Sequence, residues 1–195
     1  VLDLGVLLEW PSVKCGKGFT DGLQQAIPSL AEHGCSYRKQ GGFLRRLTED
    51  EGTWMGHIME HVALEIQNIA GSGVSFGRTR NAGRPGLYNM IYAYKQRDAG
   101  IEAGHLALKL LMHLLPETLQ QQVEFDIDPA FNFETELEGF VHRAQRREFG
   151  PSTQSLVDAA VSRNIPWIRL NNYSLVQFGH GKYQKRIQAT VTSDT

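Results

Sequence analysis

One stretch constrains this chain more than any other: "EGTWMGHIMEHVALEIQNIAG", Glu51 to Gly71. At about 100° per residue, Met55, Ile58, Met59, Val62, Ala63, Ile66, Ile69 and Ala70 gather on one side of a helix. An apolar stripe of that width has to face a core. The fold is therefore expected to be built around a helix from Thr53, as N-cap, to Ala70, with "GSG" as terminator. With His57 set at zero, Asn68 lies at about 20°, His61 at about 40°, Glu65 at about 80° and Glu60 at about −60°.

That second side is either a solvated face or a metal site. Solvated faces mix Lys or Arg with Glu, yet neither Lys nor Arg stands between Leu47 and Gly77. His57 and His61 are four apart, the spacing at which two imidazoles meet one Zn²⁺ ion. His57-x-x-Glu60-His61 is the reversed zincin pattern, in which the histidines hold the metal and the glutamate stays off it. Glu60 is then the base that takes a proton from a water the ion activates. Glu65 is the nearest third ligand, with Glu102, His105 and His33 as substitutes. Zn²⁺ or another divalent metal is the expected ion.

The rest of the chain supplies elements around this helix. "VLDLGVLLEWPSVKCGKGFT" is punctuated by Gly and Pro and reads as loop, with a helix from Thr20 interrupted at Pro28 and closed at Gly34. "FGRTRNAGRPG" places Arg78, Arg80 and Arg84 on a Gly-rich loop; guanidinium groups bind carboxylates in a bidentate manner, so these are the candidate substrate-binding residues. Arg38, Lys39, Arg45 and Arg46 form a second basic cluster, and Thr48 to Gly52 an acidic one. Leu87 to Tyr94 is a strand and Asp98 to Leu115 a helix stopped by Pro116. Trp54 and Tyr88 belong to a core or a groove.

Beyond Pro116, a short strand is expected at Val123 to Ile127, a charged helix before Gly150-Pro151, and a helix from Ser152 to Arg163. Strands follow at "IPWIRL" and on both sides of "GHG". The expected fold class is α+β: residues 1–120 a mixed helix/sheet domain, 121–150 a connector with a charged helix, and 151–195 the start of an α/β domain. The chain opens at Val1 without methionine and stops inside a strand-like run, as a piece of a longer protein would.

A net charge of −1 points to neither nucleic acid nor an anionic membrane. Two cysteines make no disulfide framework, no signal peptide is apparent and no apolar run approaches about 20 residues, so a cytoplasmic protein is expected. Cys15 and Cys35 are expected to be core or surface residues rather than ligands.

The long motifs carry a resemblance. "EGTWMGHIMEHVALEIQNIAG", "FGRTRNAGRPGLYNMIYAY", "IPSLAEHGCS" and "GGFLRRL" resemble the N-terminal domain of cyanophycin synthetase. "PSTQSLVDAAVSRNIPWIRLNNYSLVQFGHGKYQKRIQATVTSDT" resembles the beginning of that family's ATP-grasp domain. The resemblance implies an ATP- and Mg²⁺-dependent ligase that polymerises aspartate and arginine into the storage polymer cyanophycin, with its ATP and Mg²⁺ sites outside this chain. It implies that the N-terminal domain holds the polymer and, in some members, cuts it into primers at a metal site. By position that site uses His57, His61 and Glu65 as ligands and Glu60 as base. The implied partners are cyanophycin, the rest of the synthetase chain and further copies in a homo-oligomer. The alternatives are a non-catalytic docking domain and an independent zinc peptidase.

Overall fold

The computed structural model describes residues 11–49, 51–84, 87–189 and 191–192. The elements are α1 (Ser12–Ala26), α2 (Gly42–Thr48), α3 (Met55–Ile69), β1 (Gly77–Asn81), β2 (Tyr88–Tyr92), α4 (Arg97–Leu114), α5 (Glu117–Gln120), α6 (Phe133–Arg146), α7 (Pro151–Val161), β3 (Trp167–Arg169), β4 (Leu175–Phe178), β5 (Lys185–Gln188) and β6 (Val191–Thr192). Helices with two small antiparallel sheets make the class α+β. No helix among the described residues is long and apolar enough to cross a membrane.

The chain divides into two units, the first ending at Ala144 and the second beginning at Gln145. In the first, the apolar stripe of α3 is buried as its periodicity demands: Met55, Ile58, Met59, Val62, Ala63 and Ile66 all join one core. Helix α4 packs along it and contributes Ala99, Ala103 and Ala107, small side chains at helical spacing that allow close approach. Ile69, the last residue of the helix, is 40% exposed. Phe140 and Ala144 bring the apolar edge of α6 into the same core.

Helix α1 begins eight residues before the expected Thr20, at Ser12, and bends at Gly16 (φ 75°). Its buried stripe, Cys15, Phe19 and Leu23, is regular, but the bend and the flanking Pro11 mask it in the sequence. Pro28 does break the helix, starting a separate 3-10 turn, Pro28–Glu32. Thr53 is not the N-cap of α3. Trp54 occupies that position without a side-chain cap, while the Thr53 backbone bonds Ser12 through N–H to Oγ (2.9 Å) and C=O from N–H (2.7 Å). Ser12 also donates from Oγ to Leu47 O (2.7 Å), so one buried hydroxyl joins the ends of three helices.

The expected Gly-rich arginine loop is in part a strand. β1 pairs antiparallel with β2, Arg78 opposite Ile91 and Arg80 opposite Asn89. The strand expected at Val123 to Ile127 is irregular chain whose apolar residues, Val123, Phe125 and Ile127, pack on the core without a sheet partner. In the second unit, β3-β4-β5-β6 form an antiparallel sheet; Val157 of α7, Val176 and Ile187 are its buried centre, with Phe149, Trp167 and Phe178 against them. The opening segment read as loop lies outside the described residues up to position 10 and is helical from Ser12.

Candidate metal centre

Three segments converge on the polar side of α3. After the 3-10 turn the chain runs through His33, Gly34 and Cys35, and backbone bonds from Gly41 N to Ala31 O (2.8 Å) and Phe43 N to His33 O (3.0 Å) fasten it to the start of α2. Gly42 is required there, because a Cβ at that position would sit 2.1 Å from Gly34 O. From the other side comes the β1–β2 hairpin, and Gly77 is again a matter of space: a Cβ would meet Glu60 Oε1 at 2.4 Å. The polar side of α3 is therefore no solvated face. Glu60 is 3% exposed, His61 9% and Glu65 8%.

Buried polar groups need partners, and each of these has one. His57 Nε2 lies 3.2 Å from Cys35 Sγ, and its Nδ1 lies 3.6 Å from Glu60 Oε2. The Thr79 hydroxyl donates to the same Glu60 oxygen at 2.5 Å. His61 Nδ1 lies 2.9 Å from His33 Nδ1, and His33 Nε2 lies 2.7 Å from Glu65 Oε2. The Phe43 ring stacks on His61, with centroids 4.3 Å apart at 29°.

Electrostatics separate the two α3 histidines. Burial opposes charge on His57, but the Cys35 sulfur and the Glu60 carboxylate outweigh it and raise its pKa to about 9. His61 is lowered to about 3, first by burial and then by His57 and His33. Burial likewise works to raise the Cys35 thiol, yet hydrogen bonding and attraction from His57 carry it below its ordinary value. Burial opposes ionisation of Glu65 too, but hydrogen bonds led by that of His33 keep its carboxyl below the usual range.

Among the described residues, Cys35, His57 and His61 form a group of three whose ligand atoms all lie within 4.8 Å of one another. A thiolate and two imidazoles are the donor set of a zinc-type ion rather than of Mg²⁺ or Ca²⁺, which prefer oxygen. Each histidine also has its second ring nitrogen engaged, which is how metal-bound imidazoles are oriented. The residues present fit a divalent metal.

His57, His61 and Glu60 thus meet as the sequence pattern suggests. Glu65 stands in the same buried layer, but its carboxylate is held by His33. Of the substitutes considered for a third ligand, Glu102 accepts from Arg143 Nε on the surface (2.5 Å) and His105 is exposed, whereas His33 is part of the cluster. Cys15 is a core residue, its thiol raised by burial to about 11, whereas Cys35 is half-buried against the same core and also lies in the cluster. A His-x-Cys pair, His33 and Cys35, shortly before the helix was the available signal for Cys35.

The cluster lies in a cleft of about 990 Å³, lined also by Arg46, Trp54, Asn68, Asn81 and Tyr88. Trp54 is 48% exposed and stands beside Tyr88, with ring centroids 6.2 Å apart, so these aromatics border a groove rather than fill a core. Alternation along β1 sends Gly77 and Thr79 toward the cleft and Arg78 and Arg80 to the exposed face. Arg84 is exposed in the turn that follows. None of these three arginines lines the cleft.

Comparison with known proteins agrees with the motifs. The model of the cyanophycin synthase-like N-terminal domain matches residues 1–116. Over 192 residues the chain is 43% identical to the cyanophycin synthetase of Crocosphaera subtropica, covering 98% of this chain and 21% of that protein. The cyanophycin synthetase of a Synechocystis species gives the same identity and coverage. That of Geminocystis herdmanii is 40% identical over 194 residues, 100% of this chain and 21% of that protein. The chain spans about a fifth of the length of the curated relatives it matches. With the domain model covering more than half of its residues, the chain belongs to the cyanophycin synthase-like N-terminal domain family.

Proposed function

We propose that this chain is the N-terminal part of a cyanophycin synthetase, a cytoplasmic, homo-oligomeric, ATP- and Mg²⁺-dependent ligase that polymerises aspartate and arginine. In this reading the N-terminal domain holds the polymer and hydrolyses it into primers. Residues 1–120 form that domain, 121–150 the connector, and 151–195 the first part of an ATP-grasp domain. The end of the family match at residue 116 supports the first boundary.

The observation that carries the hydrolytic reading is the meeting of Cys35, His57 and His61 within 4.8 Å in the same cleft that Glu60 lines. His57 and His61 hold the metal. For the third donor the geometry favours Cys35 over Glu65, since Cys35 and not Glu65 joins the two histidines in the group with ligand atoms within 4.8 Å of one another. A divalent metal bound there supplies a Lewis acid that polarises an amide carbonyl and lowers the pKa of water. Glu60 is the proton acceptor: Thr79 fixes its Oε2 (2.5 Å), while Oε1 lies against the bare backbone of Gly77, where no side chain blocks it. Trp54 and Tyr88 border the groove that admits the polymer. Arg78, Arg80 and Arg84, on the outer side of the hairpin, bind its carboxylates away from the cleft.

The test is metal content and cyanophycin cleavage, measured for the native chain and for Glu60→Gln. Bound metal in both, with cleavage in the native form alone, is the expected result. A metal-free native protein without cleavage would leave only a docking role, and cleavage that persists in Glu60→Gln would remove Glu60 as base.

A further inference from the structure

Glu65 and His33 are an acid and a base that the hydrolytic chemistry leaves unused, although both are largely buried and His33 meets one of its histidines. We infer that they form a relay which orients His61, so that Glu65 is a positioning residue and not a metal ligand. The inference rests on the metal reading above and specifies how that site is held.

The argument is one of donors and acceptors. An ionised carboxylate can only accept, so at 2.7 Å the Glu65 Oε2 receives the Nε2–H of His33. In the tautomer that gives this bond, with the ring's one proton on Nε2, His33 presents a lone pair on Nδ1. That atom, 2.9 Å from His61 Nδ1, accepts the Nδ1–H of His61. The remaining nitrogen of His61, Nε2, is left with its lone pair available to a metal. The opposite tautomer of His61 would put the two Nδ1 lone pairs against each other and a proton on Nε2. Stacking by Phe43 prevents the ring from turning away (4.3 Å, 29°).

His57 is oriented by the same logic over a shorter path, with Glu60 facing its Nδ1 and Nε2 turned to Cys35. Two carboxylates on one helix therefore orient two ligand histidines, one directly and one through a third imidazole. The third donor is left to Cys35, which the turn after His33 delivers in a left-handed backbone conformation (φ 46°). Glu65 is not in the group of three whose ligand atoms lie within 4.8 Å of one another, and its Oε2 receives the His33 proton instead.

Co²⁺ titration of the chain tests this, read by absorption spectroscopy. The native chain is expected to bind one Co²⁺ with a sulfur-to-cobalt charge-transfer band, which Cys35→Ser abolishes. Glu65→Met is expected to weaken Co²⁺ binding about 10–100-fold with the spectrum unchanged, as for loss of an outer-shell partner. Glu65→Gln, whose amide oxygen still accepts from His33, is expected to lose less. His33→Phe is expected to match Glu65→Met, and the double variant to be no weaker than either alone, because both break one relay. His33→Phe carries the test if Glu65→Met does not fold. A native spectrum without the sulfur band, a spectrum altered by Glu65→Met, or multiplicative losses in the double variant would overturn the relay while leaving a metal site. A native chain that binds no Co²⁺ would overturn the metal reading and the relay with it.

Discussion

The two ends of the polar side of α3 carry the same residue types, a histidine and a glutamate, and put them to different use. At the first end His57 faces Glu60 and the Cys35 sulfur, and its pKa rises to about 9. One turn later His61 is enclosed by Phe43 and His33, and its pKa falls to about 3. The difference owes nothing to residue type or helical position. It comes from what the neighbouring segments bring: a sulfur and a carboxylate at one end, aromatic rings and other imidazoles at the other. A pattern such as His-x-x-Glu-His therefore names the participants, and the packed neighbours set their protonation states.

The comparison is broken most severely at the first end. Glu60→Gln removes the proton acceptor while keeping its shape, and polymer cleavage is expected to fall about 10²–10⁴-fold with the melting temperature little changed. At the second end the main support is apolar. Phe43→Ala empties a fully buried site against His61 and is expected to cost about 3–5 kcal/mol in denaturant unfolding.

A pH series on chelator-treated, metal-free protein sharpens the contrast itself. Raised to about 9, His57 contributes stability that is complete below its ordinary pKa of 6.5 and lost as the pH rises through about 9. Lowered to about 3, His61 stays neutral while the unfolded chain takes up a proton, so stability falls as the pH drops from 6.5 toward about 3. Each limb has a limiting slope of about 1.4 kcal/mol per pH unit. From these two groups stability is expected to peak near pH 6.5, and His61→Gln is expected to flatten the acid limb alone.

Gly77→Ala should act through space at the Glu60 end, where the new Cβ would fall 2.4 Å from Oε1. A cost of about 1–3 kcal/mol is expected, together with reduced cleavage. The smallest effect belongs to the exposed side of β1. Arg78→Ala and Arg80→Ala are expected to change stability by less than about 0.5 kcal/mol and to leave metal content alone, while weakening polymer retention in a salt-dependent way.

Much of the fold was legible because its signals are local. The stripe on α3, the aromatic and β-branched run of β2 and the Pro116 stop of α4 act within one element, and the structure places all three close to where the periodicity puts them. The misplaced elements are those whose local signal was interrupted or overruled. Helix α1 hides its stripe behind the Gly16 bend, and Val123, Phe125 and Ile127 alternate like a strand yet find core contacts without a sheet partner. The arginines at 78 and 80 were visible as charges, but their side of the hairpin became readable only once the register opposite Ile91 and Asn89 was known.

What the sequence by itself determined is the helix at the core of the first unit, the two histidines and Glu60 on its polar side, and the family to which the chain belongs. Only the tertiary structure decided that this polar side is buried. Packing also brought Cys35 and His33 to it, 22 and 28 residues before the histidines they meet, and tied Glu65 to His33. The physical reason is range. Hydrophobic periodicity and capping act over one or two turns of a helix, whereas a ligand set and its protonation states depend on atoms a few ångströms apart in space and tens of residues apart in the chain.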